Sequence, residues 1–362
     1  MTAIPAVARN KPLPPNPFHE VDEVAFHDAY HHCLLHEKDA QLSKRGATTK
    51  TKEEQYTKEI VYGRCLGYLL TETSHTNGKR MVSDDIIKCD GQREKMNELA
   101  ETYINHLIRL FRQDKGATPA PSEHPSRLSF DRDRDFFSGT IEPTPKDHRA
   151  AKRAALKRDN YRCMVTGCVE SAAWYVLESE GSLGEGDVST STNFCHIFPP
   201  STNQGRENPS KQSYAESAWK YVYAFGGIKG LEELEGAGIH RLSNGLTLAA
   251  DLHAAFDNLG LWFESKQDGP ENTYLIRTMT PMRGVTTTEV TFTSTDPALE
   301  LPDGRYLKLH AAICRVAHMS GAAEYMDKHD RDLEELSVLA PDGSSAELFT
   351  AHLHQRCVLA YQ

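Results

Sequence analysis

Two short stretches hold residues whose types and spacing could do chemistry. Ser243 to Asp257 packs Asn244, His253 and Asp257 into one run with apolar residues between them. His253 and Asp257 stand four apart, a spacing that puts them on one strip of a helix. An imidazole and a carboxylate so placed can converge on one divalent ion. The second stretch, Asn193 to Pro200, carries Cys195 and His196 between Phe194 and Phe198. A histidine on such a strand is ordinarily structural. Its value rises if the strand lies opposite the helix that carries His253 and Asp257.

The local pattern predicts that arrangement. Phe194, His196 and Phe198 alternate with Cys195 and Ile197, which reads as a short strand stopped by Pro199. Asn244-Gly245 reads as a turn, Leu246 and Leu248 as one face of a very short strand, and Leu252 with Phe256 as the apolar face of a helix. A strand, a second strand and a helix form a compact ββα unit, with a further helix over residues 215–224 inserted in it. Just upstream, residues 146–162 hold seven basic and two acidic side chains, and the alanines among them favour a basic helix. Arg153, Lys157 and Arg158 on that helix are expected to contact a phosphate backbone. Arg206 and the His240-Arg241 pair, placed close to the site in sequence, are further expected contacts.

The other regions support this unit. Residues 1–17 are expected to be flexible or laid over the surface. Helical patterns over residues 21–37, 52–72 and 93–112 define an N-terminal helical region, 18–114, with Asn77-Gly78 as a turn between the last two. Support, partner contact or dimerisation are the roles open to it, so a homo-oligomer is among the expected states. Residues 115–145, rich in Pro, Ala and Ser at their start, read as a linker. The chemical unit then spans 146–265. The extension, 266–362, is expected to combine a small antiparallel sheet with helices over 322–339 and 345–359, and Leu301 to Leu309 reads as a turn entering a strand. The whole is of the α+β class.

Composition bounds the function. The chain of 362 residues carries 41 basic and 51 acidic side chains, a formal charge of -10. That argues against a protein coated in basic charge, while a local basic groove still suffices for nucleic acid. No apolar run reaches the eighteen or so residues that span a bilayer, so an intracellular protein, cytoplasmic or nuclear, with no membrane partner is expected. The 8 cysteines are too sparse for a disulfide scaffold. Cys163, Cys168 and Cys195 could share a structural zinc, but buried reduced thiols are the expected state.

Taken together, Arg162-Cys163-Met164-Val165-Thr166-Gly167, Cys195-His196-Ile197-Phe198-Pro199, Asn244-Gly245-Leu246-Thr247-Leu248 and Asp251 to Asp257 resemble the HNH endonuclease superfamily, of ββα-metal fold, and in particular the HNH domain of uncharacterised fungal proteins. The resemblance covers residues 158–265. It implies that His196 is the general base, that Asn244 holds the loop bearing it, and that His253 binds the metal, with Asp257 in the place of a second ligand. It also implies a ligand just before the base, usually Asp or His, where this chain has Cys195. A thiolate there suits zinc better than magnesium. A buried thiol would leave His253 and Asp257 as the protein ligands, completed by water and phosphate. The implied activity is hydrolysis of phosphodiester bonds in DNA or RNA with one divalent ion, magnesium, manganese, nickel or zinc. The alternative is a noncatalytic nucleic-acid-binding or scaffold protein that keeps the fold.

Overall fold

The computed structural model describes residues 9–112, 148–203 and 209–335. Helices α1 (Val24–Arg45), α2 (Lys50–Glu72), α3 (Thr76–Lys88) and α4 (Arg93–Tyr103) come first, the last running on through a π-helical turn, Ile104–Ile108, and a 3-10 turn, Arg109–Phe111. The middle of the chain supplies α5 (His148–Arg158), β1 (Val169–Glu170), α6 (Trp174–Ser179), β2 (Ser189–Thr190), β3 (Thr192–His196), α7 (Pro209–Gly226), α8 (Gly230–Glu233), β4 (Gly245–Ala249) and α9 (Ala250–Asp257). Strands β5 (Leu261–Ser265), β6 (Thr273–Thr278) and β7 (Glu289–Thr291) follow, then α10 (Gly304–Ser320) and α11 (Ala322–Glu335).

Helix α2 is the hub of the helical part. Thr49 caps it by accepting a hydrogen bond from the Lys52 amide at 3.3 Å. Its first half is amphipathic, as the sequence pattern predicts. From Glu59 to Leu70 it is buried on every side, because α1, α3, α4, α10 and α11 all pack against it. Charged side chains in that interior are paired: Arg64 Nε donates to Glu37 Oε1 at 2.7 Å, and Glu37 Oε2 accepts from the Leu13 amide at 3.0 Å. Further contacts lay residues 9–13 over the fold, the second of the two states expected for the N-terminus. Asn10 and Lys11 donate their amides to His318 O and Met319 O, both at 2.8 Å, and Leu13 is buried.

Among the described residues, three sheets complete the fold. β1 and β2 pair in parallel, β3 and β4 pair antiparallel, and β5-β6-β7 form the small antiparallel sheet. The register of β3 and β4 runs from Thr192 opposite Ala249 to His196 opposite Gly245. Helix α9 leaves the end of β4 directly and packs on both strands. The result is an antiparallel pair followed by a helix, with α7 and α8 carried in the connection. The β5–β6 ladder joins residues on both sides of the boundary expected at 265, so sheet and site unit share strands rather than meeting at a linker. The expected linker, 115–145, and the expected helix over 345–359 lie outside the described residues.

Two local expectations fail for identifiable reasons, and a third holds only in part. Asn77-Gly78 sits inside α3 instead of forming a turn. A Cβ on Gly78 would stand 2.9 Å from Phe225 Cα, so the glycine permits close approach of α3 to α7. At Asn244-Gly245 a turn is present, the 3-10 turn Leu242–Asn244, but it ends at Asn244, and Gly245 is already extended, with φ -151°. A Cβ there would fall 2.0 Å from Phe194 Cζ, so the glycine makes room for the Phe194 ring. Pro302-Asp303-Gly304 starts helix α10 in place of a strand, because the Asp303 carboxylate accepts from the Arg305 amide at 2.8 Å and caps it.

Candidate active site

Strand β3 positions two neighbouring side chains on opposite faces, as the two-residue period of a strand requires. Phe194 and His196 face α5. The Phe194 ring packs with Ala151 and Ala155 of that helix, and its centroid lies 4.8 Å from that of His196. Cys195 faces the main core and α9, with Sγ 3.9 Å from Asp257 Oδ1.

Asn244 closes the loop that follows His196. The side chain is fully buried at 0 % exposure. Its Oδ1 accepts from the Phe198 amide at 2.9 Å, while Nδ2 donates to Phe198 O at 3.0 Å and to Ile239 O at 2.9 Å. Its own carbonyl accepts from the Ile197 amide at 2.9 Å. One carboxamide thus satisfies three backbone groups and fixes the chain just beyond His196 against the chain just before β4.

On α9, one helical turn brings His253 Nε2 to 3.2 Å from Asp257 Oδ2. Both side chains are partly open to solvent, at 23 % and 16 % exposure. Asp257 therefore turns one oxygen toward His253 and the other toward Cys195. The donor atoms of Cys195, His253 and Asp257 lie within 4.8 Å of one another, close enough for one ion to draw the three together by small side-chain shifts. The nitrogen, oxygen and sulfur donors fit zinc as a set of three, and the nitrogen and oxygen alone fit the harder ions. Burial, and next the charge of Asp257, push the Cys195 thiol well above its usual pKa, so without an ion it stays protonated, with Asp257 Oδ1 and His196 O each 3.9 Å from Sγ.

The other face of β3 holds a second cluster. His196 Nε2 lies 3.0 Å from His240 Nδ1, and the His148 ring centroid lies 5.3 Å from that of His196. His196 is 4 % exposed, His240 half-buried and His148 exposed. Burial first, then the charges of His240, His148 and His253, push the His196 pKa down to about 3. The imidazole is neutral at pH 7 and its reactive nitrogens are set by its neighbours. His240 is the residue before Arg241 in the sequence reading. His148 carried no signal there, because nothing in the spacing of a lone histidine at a helix start connects it with residues so distant in the chain.

The basic side chains divide. Arg153 is exposed. Lys157 is 63 % exposed and pairs with Asp296 at 3.5 Å, and Arg241 is 44 % exposed and pairs with Glu300 at 2.9 Å. Arg158, expected at a phosphate, is instead completely buried. It forms a two-pronged pair with Asp159 at 2.7 and 2.8 Å and donates to the carbonyls of Leu242, Glu300 and Gly245 at 2.9 to 3.1 Å. It is a structural hub that ties α5 to the start of β4. Arg206 lies outside the described residues. Cys163 is a buried thiol whose sulfur accepts from the Ala249 amide at 3.3 Å. Among the described residues, no helix is long and apolar enough to cross a membrane.

Residues 163–264, which span β1 to β5 and both clusters except His148, match the HNH endonuclease family. No curated protein and no solved structure matches the chain.

Proposed function

We propose that the chain is a metal-dependent endonuclease of the HNH type, with a ββα-metal core formed by β3, β4 and α9, that hydrolyses phosphodiester bonds of DNA or RNA. The observation that carries this reading is a neutral, buried imidazole, His196, at the end of β3, one residue from Cys195, which faces the His253–Asp257 pair of α9. In this reading His196 accepts the proton of the attacking water. Asn244 holds the loop that aims it. His253 and Asp257, with Cys195 for a thiophilic ion, hold one divalent ion. When bound, that ion supplies Lewis-acid stabilisation of charge on the phosphate and the leaving 3′ oxygen. The phosphate of a bound strand brings negative charge beside His196 and raises its proton affinity, which moves the base toward its working range. Arg153, Lys157 and Arg241 supply positive charge around the opening, and Arg206 is assigned the same role from sequence.

A second reading, a noncatalytic nucleic-acid-binding or scaffold protein, is favoured by one observation: the buried, protonated Cys195 thiol stands where an ionised ligand would serve a hard cation better. Nicking of supercoiled DNA and cleavage of single-stranded RNA in magnesium or manganese separate the two. His196→Ala is expected to lower the rate about 1,000-fold, the scale of a lost general base, while calorimetric titration with manganese stays as in the parent. Equal rates for parent and variant would remove His196 from the reaction. Binding without turnover in any of the four ions would favour the second reading.

A further inference from the structure

We propose that His148, His196 and His240 form a second metal site, selective for imidazole-preferring transition ions such as zinc, and that an ion there takes His196 out of service. The second half of the proposal rests on the nuclease reading; the first half does not.

The donor atoms of these three histidines lie within 4.8 Å of one another. They come from three separate segments: the first residue of α5, the last residue of β3, and the end of the 3-10 turn Gly236–His240. Exposure falls from His148 through His240 to His196, so the group opens to solvent on the His148 side. Three protein ligands with a position left for solvent are what an open zinc site needs. An all-imidazole set suits zinc, copper and nickel, whereas magnesium and manganese prefer oxygen donors. The site therefore differs in taste from the group on α9, which contains a carboxylate and a thiol.

The consequence for His196 follows from its electron pairs. A neutral imidazole has one free nitrogen lone pair. If His196 Nε2 binds the ion, the ring proton sits on Nδ1, and no lone pair remains to take a proton from water. The 3.0 Å contact between His196 Nε2 and His240 Nδ1 already holds the two donor atoms close to the separation that a shared tetrahedral ion with bonds of about 2 Å requires. Binding displaces the proton between them to the far nitrogen of its own ring, with no net proton released.

Cobalt titration of the full chain tests the site without using activity. The parent is expected to bind two cobalt equivalents, one with sulfur-to-cobalt charge transfer from Cys195 and one without it. His148→Ala removes an exposed side chain, so folding should survive, which circular dichroism checks. That variant is expected to weaken the sulfur-free equivalent by at least about 100-fold, more than the loss of an outer-shell partner costs. In magnesium-supported nicking, micromolar zinc is expected to inhibit the parent more strongly than His148→Ala, in which only the α9 group is left to take zinc. Retention of both cobalt equivalents by His148→Ala, or a parent that binds cobalt only with the sulfur band, would overturn the site. Binding that depends on His148 together with equal zinc inhibition of parent and variant would overturn the switch and leave the site standing. If no divalent ion supports hydrolysis, the nuclease reading and the switch that rests on it fail, while the cobalt result still decides the site.

Discussion

The two faces of β3 are built differently. The face that carries His196 rests on a small satellite cluster of Ala151, Ala155 and Phe194, with Leu242 packed against it. The face that carries Cys195 belongs to the main core, continuous with Leu252 and Phe256 of α9 and with α10 behind them. Satellite clusters offer little apolar area, so polar contacts must hold the first face in place: the Asn244 clasp and the Arg158 hub. The second face is held by packing, and its reactive groups sit at the rim of a core. One strand thus places a buried imidazole on a polar scaffold and a thiol on an apolar one, a single residue apart.

The strongest way to break that contrast is at Arg158. Arg158→Met leaves Asp159, whose side chain is 3 % exposed, and three carbonyls without their donor. Removing one member of a buried pair costs about 3–5 kcal/mol, and urea unfolding measures it. The His196 face should suffer first, because Arg158 joins α5 to Leu242 and Gly245. A loss below about 1 kcal/mol, the range of exposed ion pairs, would mean that the satellite cluster holds itself together and that polar scaffolding is not what distinguishes the two faces.

How the sequence reads this contrast is uneven. The alternation in Phe194 to Phe198 and the spacing of His253 and Asp257 are local periodicities, and the structure gives β3 and α9 where they fall. Helices α1, α2 and α4 and the three strands of the small sheet are legible for the same reason, whereas α3 was hidden behind the Asn77-Gly78 pair. Arg158 was not, since a basic residue on a basic helix looks solvated until a neighbouring Asp and three distant carbonyls close over it. The Asn77-Gly78 pair misled because a glycine needed for close approach looks the same in sequence as a glycine needed for a turn. The His148–His196–His240 group depends on three segments meeting in space, and no period within any one of them encodes that meeting.

Acid sharpens the comparison from the packed side. His310 of α10 is fully buried and stacks on Phe256 with centroids 4.0 Å apart. Burial pushes its pKa down to about 3. The unfolded chain takes up a proton near pH 6.5 while the folded chain does not, so stability is full above that pH and falls as pH drops toward the folded value. Between pH 7 and 5 the loss amounts to about 2 kcal/mol for this group. His310→Leu should flatten the pH dependence of the urea midpoint by that amount. The slope left in the variant includes the contribution of His196, lowered in the same sense on the opposite face. An unchanged slope in His310→Leu would mean that water reaches the packed face and that the two faces are equally wet.

The smallest effect is expected at Cys195, and it decides what the packed face contributes. In the absence of an ion the thiol is buried and protonated, with Sγ 3.9 Å from Asp257 Oδ1. That geometry serves two purposes equally well: orienting the carboxylate toward His253, or supplying a third ligand once the proton is displaced. Cys195→Ser keeps a small hydroxylated side chain at the position and removes the soft donor. If sulfur is a ligand, zinc affinity at the α9 group falls about tenfold, equivalent to about 1.4 kcal/mol, and manganese affinity falls by less, because manganese prefers oxygen. Calorimetric titration of both ions in the His148→Ala background reads this group with the all-imidazole site disabled. If zinc and manganese affinities move together, Cys195 acts on the ion only through Asp257, and the protein ligands of the α9 group number two.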